Sequence, residues 1–165
     1  MGEPVKTLVI GIGSPIRGDD GIGPALAERV CLGRGPDWEA IPFQGSGFDL
    51  LGAITQPGGY DRVVLIDSMD NGTLPVGEVA RVDPLPDIPV RDGYASSHHV
   101  GVLEAFRLAP VFGASLPDDV RLYAVGVDRA DGFREGLSTG MAARLDELAE
   151  AIARDLVGRT GEVAS

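Results

Sequence analysis

Val63, Val64, Leu65 and Ile66 follow one another with no polar residue between them. A strand with one wet face alternates apolar and polar side chains, so this unbroken run, bounded by Arg62 and Asp67, describes a strand covered on both sides. Helices must lie over both faces, and the rest of the chain supplies candidates. Short apolar runs at 7–13, 38–43, 62–68 and 120–127 alternate with amphipathic segments at 22–32, 47–55, 98–109 and 138–157, the pattern of βαβ units. In the last segment Met141, Leu145, Leu148, Ile152 and Leu156 recur at steps of three and four, whereas Arg144, Glu147, Glu150 and Arg154 fall elsewhere on the wheel. Residues 77–82 alternate apolar and polar, and they follow strand 62–68 too closely for a helical crossover, so they predict an antiparallel edge strand. The expected fold is α/β: a three-layer α/β/α sandwich around a mixed, mostly parallel five-stranded sheet with one antiparallel edge strand. It forms a single domain over residues 1–165, with 158–165 as a flexible tail. Residues 83–97, with Pro84, Pro86 and Pro89, make a loop too long for a mere connection.

Composition narrows the partners. A formal net charge of −11 over 165 residues repels nucleic acid and anionic lipid surfaces over a Debye length of about 8 Å. Basic or cationic partners suit it better, although acidity that only maintains solubility is the plainer reading. No apolar run approaches the roughly 20 residues of a membrane span. The first strand starts near Thr7 and leaves no room for a cleavable signal, so a cytoplasmic protein is expected. The single cysteine, Cys31, can form neither an internal disulfide nor a thiolate cluster, so any metal must be held by oxygen and nitrogen.

The glycine-rich stretch 11–23 follows the first apolar run as phosphate loops do, but its residues disagree with them. Ile16 stands where a dinucleotide fingerprint needs its third glycine, and Asp19 and Asp20 stand where a Walker loop needs lysine and a hydroxyl. Two unit charges about 4 Å apart interact by about 4 kcal/mol at an effective dielectric near 20, so the reversed sign favours a cation over phosphate. A purely structural role competes, because an aspartate before a helix caps free N–H groups and suits the positive end of the macrodipole. Asp20 or Gly21 is a credible cap, with Pro24 in the first turn.

Two further groups belong to the same rim. Asp67 ends the central apolar run, and ligands of open α/β sheets bind beyond the carboxyl ends of the strands; the plainer reading is a polar residue leaving the core. His98 and His99, the only histidines, follow Ser96 and Ser97 at the start of a helix candidate, where they could also be merely exposed. Asp20, Asp67 and His98 together make a three-ligand set open to water or substrate, tolerated by zinc, nickel, cobalt and manganese. No rival nucleophile competes: Ser46 lacks the first glycine of a nucleophile elbow, and Cys31 falls late in the first helix.

With residues 11–23, Leu65, Ile66 and Asp67, and Ser97, His98, His99, Val100 and Gly101 in this order, the chain resembles the hydrogenase maturation proteases. Residues 45–51 resemble that family's second glycine-rich segment, and Gly136, Leu137 and Ser138 its late element; the likeness spans residues 7–157. It implies an aspartic-type endopeptidase that removes the C-terminal extension of a nickel-iron hydrogenase large-subunit precursor after nickel insertion. Asp20, Asp67 and His98 would then be both metal-contacting and catalytic. The metal would be the precursor's own nickel, with zinc or cadmium able to substitute in vitro. No nucleic acid or membrane partner is implied, and a monomer is expected. The chain departs from the family in having Ser14 where asparagine is common, and in having no acid near Pro42 or Phe43. Metal polarisation of the scissile carbonyl or activation of a water, with a carboxylate oxygen as base, is one mechanism. Burial beside another carboxylate would raise the pKa of Asp20 or Asp67, which leaves a neutral-acid role without metal open as well. Two rivals remain: a nickel-sensing partner of the precursor that cuts nothing, and a mononucleotide-binding α/β domain.

Overall fold

In a computed structural model, the described residues are 2–55, 59–70, 72–82, 105, 109–113, 115–128 and 132–162. In chain order the elements are β1 (Thr7–Ile12), a 3-10 turn (Gly18–Gly21), α1 (Ile22–Cys31), β2 (Trp38–Phe43), α2 (Gly47–Ile54), β3 (Arg62–Met69), β4 (Val79–Val82), β5 (Asp119–Gly126) and α3 (Thr139–Glu162). The strands form one sheet in the order β2-β1-β3-β5-β4. β2, β1, β3 and β5 run parallel, and β4 pairs antiparallel with β5 at the edge. This is the expected mixed sheet with one antiparallel edge strand.

All eight residues of β3 are buried, as the unbroken apolar run requires. Even-numbered Val64 and Ile66 join Ile22, Leu26 and Val30 of α1 and Leu148, Ile152 and Leu156 of α3 on one face. Odd-numbered Val63, Leu65 and Met69 join Leu50, Leu51 and Ile54 of α2, with Ala105 and Ala109, on the other. The period of two in β3 against the period of three to four in the helices gives each layer its own core. Each fully buried aliphatic side chain contributes about 1.5–3 kcal/mol through this burial.

Glycine sets how closely α1 sits on the sheet. A Cβ on Gly11 would lie 2.4 Å from the Gly23 carbonyl oxygen, and one on Gly23 would lie 2.4 Å from the Ile12 oxygen and 2.6 Å from the Ile66 oxygen. The glycines of stretch 11–23 therefore bring two backbones into contact.

Most boundaries fall within one residue of expectation, and two move further. β4 starts two residues later than expected, because the Gly77 N–H is taken by the Gly126 carbonyl at 2.8 Å outside the ladder. α3 continues through Gly158 to Glu162, past the position where the tail was expected to begin. The helix candidate 98–109 and the loop 83–97 lie outside the described residues, except that Ala105 is helical and Ala109 opens a turn. Among the described residues, no helix is long and apolar enough to cross a membrane.

Candidate active site

The carboxyl ends of β1 and β3 and the start of α1 meet on one rim, and Asp20 and Asp67 both stand there. Asp20 lies in the 3-10 turn, half-buried. One of its oxygens, Oδ2, accepts the Ser14 backbone N–H at 2.9 Å, and the other, Oδ1, accepts the Ser68 hydroxyl at 2.8 Å. Asp67, 1% exposed, accepts the Ser68 backbone N–H at Oδ1, 2.8 Å away. Consecutive residues of a strand project to opposite faces, so Asp67 follows Val63 and Leu65 toward the α2 layer while Ser68 follows Val64 and Ile66 toward α1. Ser68 thus touches both carboxylates, one with its side chain and one with its main chain.

Burial dominates the electrostatics of Asp67, and like charge adds to it. Burial pushes the Asp67 carboxyl up to about 8; the Ser68 hydrogen bond opposes this, and the negative charges of Asp20 and Asp70 add to it. This realises for Asp67 the expectation that burial beside another carboxylate raises an acid. Such a pair suits either a shared proton or an incoming cation, because both relieve the same repulsion.

The glycine-rich loop does not cradle an anion. Its N–H groups are taken by its own chain: Gly13 donates to the Phe43 carbonyl at 3.2 Å, Ser14 to Asp20, Arg17 to the Ser14 carbonyl at 3.1 Å and Gly18 to the Arg134 carbonyl at 2.7 Å. Gly13, at φ +140°, also lets the loop fold back on itself, since a Cβ there would lie 2.0 Å from the Asp20 carbonyl oxygen. The sign argument against phosphate and the hydrogen bonding of the loop agree.

The capping role weighed for Asp20 falls to other groups. Gly21 is the N-cap of α1 and makes no side-chain cap bond, while the Asp20 carboxylate turns back to Ser14 and across to Ser68. Asp19 does the structural work: it accepts the Ser138 N–H at 2.7 Å and the Ser138 hydroxyl at 2.8 Å, and the same hydroxyl accepts the Met141 N–H in the first turn of α3. Together with the Gly136 N–H to the Pro15 carbonyl, these bonds clasp the late element 136–138 to the first loop. Ser46 caps α2 in a reciprocal box with Asp49, and burial pushes the Cys31 thiol up to about 11. Ser46 thus serves as a cap, and Cys31 closes α1, late in the first helix as expected.

His98 and His99 lie outside the described residues. Among the described residues, no three His, Cys, Asp or Glu side chains gather in a metal-binding group. The contribution of the described chain is the carboxylate pair and the serine between them. Sequence reasoning missed Ser68 and the Ser14 N–H. The available signal for Ser68 was its position directly after an aspartate at the end of a buried strand.

The molecule is thus a doubly covered α/β sheet with a buried aspartate, Asp67, and a half-buried one, Asp20, at the carboxyl edge of its parallel strands. No family model and no curated protein sequence matches the chain, so the comparison rests on solved structures. The hydrogenase maturating endopeptidase HybD from E. coli superposes with a TM-score of 0.67 at 20% identity, covering 92% of this chain and 91% of that one. The NiFe hydrogenase maturation protease HycI from Thermococcus kodakarensis KOD1 gives 0.64 at 28% identity, covering 91% of each. HybD from Thermococcus kodakarensis gives 0.67 at 20%, over 92% of this chain and 98% of that one. The chain therefore has the fold of the NiFe hydrogenase maturation proteases over about nine-tenths of its length.

Proposed function

We propose that this protein is an endopeptidase that removes the C-terminal extension of a nickel-iron hydrogenase large-subunit precursor once nickel has been inserted. The observation that carries the reading is the meeting of Asp20 and Asp67, 47 positions apart in the sequence, through Ser68 on the rim of a sheet with this fold. Structures with the same fold are named as hydrogenase maturation proteases and endopeptidases, and the motifs of this chain resemble those of that family.

The nickel belongs to the client. Asp20, Asp67 and His98 would contact it, which makes recognition of the loaded precursor and cleavage one event. Bound there, the ion supplies polarisation of the scissile carbonyl or of a water. The chain itself supplies orientation and a proton acceptor: Asp20 is held at both oxygens, and a carboxylate oxygen of the pair takes the proton of the attacking water. Burial raises the Asp67 carboxyl and favours its neutral form, so an arriving cation, which favours the charged form, would release that proton to solvent. A monomer acting in the cytoplasm belongs to the same proposal.

A nickel-sensing partner that cuts nothing would use the same three residues, so only cleavage separates it from an enzyme. A mononucleotide-binding domain is disfavoured by the loop, whose N–H groups are already bonded within the chain. The decisive experiment incubates purified precursor, with and without nickel, with this protein and reads the intact mass of the large subunit. Mass loss should require nickel. Asp20→Asn, Asp67→Asn and His98→Ala should each abolish it while leaving the circular dichroism unchanged, and normal trimming by all three would remove the assignment.

A further inference from the structure

We propose that Ser68 is a positioning residue: its hydroxyl fixes the Asp20 carboxylate and its backbone N–H fixes Asp67, so that two acids arriving from opposite faces of the sheet present to one ion. The inference rests on the reading that this pair contacts the client's metal, and adds to it the group that sets the geometry.

Ser68 is well placed for such work. Its backbone lies in the β3–β5 ladder opposite Val125, and the residue is 6% exposed, so neither its main chain nor its side chain has room to wander. Asp20, by contrast, stands in a short 3-10 turn and is half-buried. A carboxylate held at one oxygen can still swing about its last torsion, whereas one held at both has its plane fixed. The Ser14 N–H supplies one hold at 2.9 Å and the Ser68 hydroxyl the other at 2.8 Å. The first comes from the same loop as Asp20 and moves with it; only the second ties the carboxylate to the strand that carries Asp67. Removing the hydroxyl therefore leaves both acids in place and frees the angle between them.

A serine that merely satisfied a buried polar group would behave differently. Asp20 is half-exposed, so water can replace the lost bond at Oδ1 and the fold should tolerate Ser68→Ala. Groups that orient metal ligands typically change affinity by about 10–100-fold when removed.

The experiment is calorimetric titration with free nickel, and separately cadmium, of the full chain and of Ser68→Ala, Ser68→Thr, Asp20→Asn, Asp67→Asn and the Ser68→Ala/Asp20→Asn pair. Ser68→Ala should weaken binding about 10-fold or more with little change in melting temperature, and Ser68→Thr, which keeps the hydroxyl, should restore most of it. In the Asp20→Asn background Ser68→Ala should cost nothing further, because its effect runs through that carboxylate. Wild-type affinity in Ser68→Ala beside a crippled Asp67→Asn overturns the role of Ser68 and leaves the ligand reading standing. Losses that add in the double variant also overturn it, and the double variant remains informative if threonine does not fit. Unchanged affinity in Asp67→Asn overturns the ligand reading and the role of Ser68 with it.

Discussion

β3 and β5 lie side by side, and their two ends treat carboxylates in opposite ways. At the amino end, Asp119 stands opposite Arg62 in the ladder. It accepts Arg62 Nε at 2.8 Å and Arg121 Nε at 2.8 Å, and both arginines are 7% exposed. Burial alone would raise the Asp119 carboxyl, but the bonds and charges of Arg121 and Arg62 outweigh it and hold the group below the usual carboxylate range. At the carboxyl end, Asp67 is surrounded by Asp20 and Asp70, whose charges act in the same direction as burial. One end gathers opposite charges and closes; the other gathers like charges. Perturbed acids of this kind cluster at functional sites, and under the function proposed above an incoming cation is the partner that relieves the repulsion.

The sharpest way to break this contrast is to remove one acid from each end. Asp67→Asn should lower precursor processing by about 10³-fold or more, whereas Asp119→Asn should leave the rate of the folded fraction unchanged. Stability should respond the other way round. Asp119→Asn takes the opposing charge from two buried guanidinium groups, of which Arg121 keeps a bond to the Asp155 carbonyl, and should cost about 2–4 kcal/mol in urea unfolding, a range reduced because Asp119 is itself a third exposed.

Asp67→Asn should instead stabilise the metal-free protein, by about 1–3 kcal/mol near pH 8. The sign follows from linkage: an acid raised from 3.8 to about 8 binds more protons folded than unfolded between those values. Wild-type stability therefore falls across that window as pH rises, and the variant should lose this slope. For Asp119 the carboxyl is lowered, so its contribution is present above the unfolded pKa and disappears as pH falls through the folded one.

The smallest effect sharpens the comparison within the rim itself. Ser138→Ala removes the hydroxyl shared by Asp19 and the start of α3, and should cost about 1 kcal/mol in melting experiments without altering nickel uptake. A large loss of nickel uptake would mean that Asp19, and not only Asp20, belongs to the ion-facing side.

Much of this was legible in the sequence, for reasons that differ by residue. The position of β3 followed from four apolar residues in a row, and the antiparallel direction of β4 from the short connection before it. Asp20 and Asp67 could be assigned to one rim because parallel strands end, and helices begin, on the same edge. Their division of labour was not legible. Asp19 and Asp20 are neighbours of identical chemistry, and only the three-dimensional height of the 3-10 turn decides that one reaches Ser138 and the other Ser68. Ser68 escaped notice because a residue next to Asp67 in a strand points to the far side of the sheet. It becomes relevant only when a loop from the opposite layer comes over the top. The late element 136–138 could be matched by resemblance, but its clasp to Pro15 and Asp19 depends on contacts more than a hundred residues apart.

The seam between Gly11 and Gly23 has a further consequence. A hydrogen atom is the thickest spacer that fits between α1 and the strands beneath it, so the altitude of Asp20 over β3 is gauged by main chain resting on main chain. Side chains can repack around a misfit, but main chain resting on main chain has nothing to give. A single methyl inserted at the seam would tilt the head of the helix and carry the acid away from its counterpart before any residue at the rim had changed.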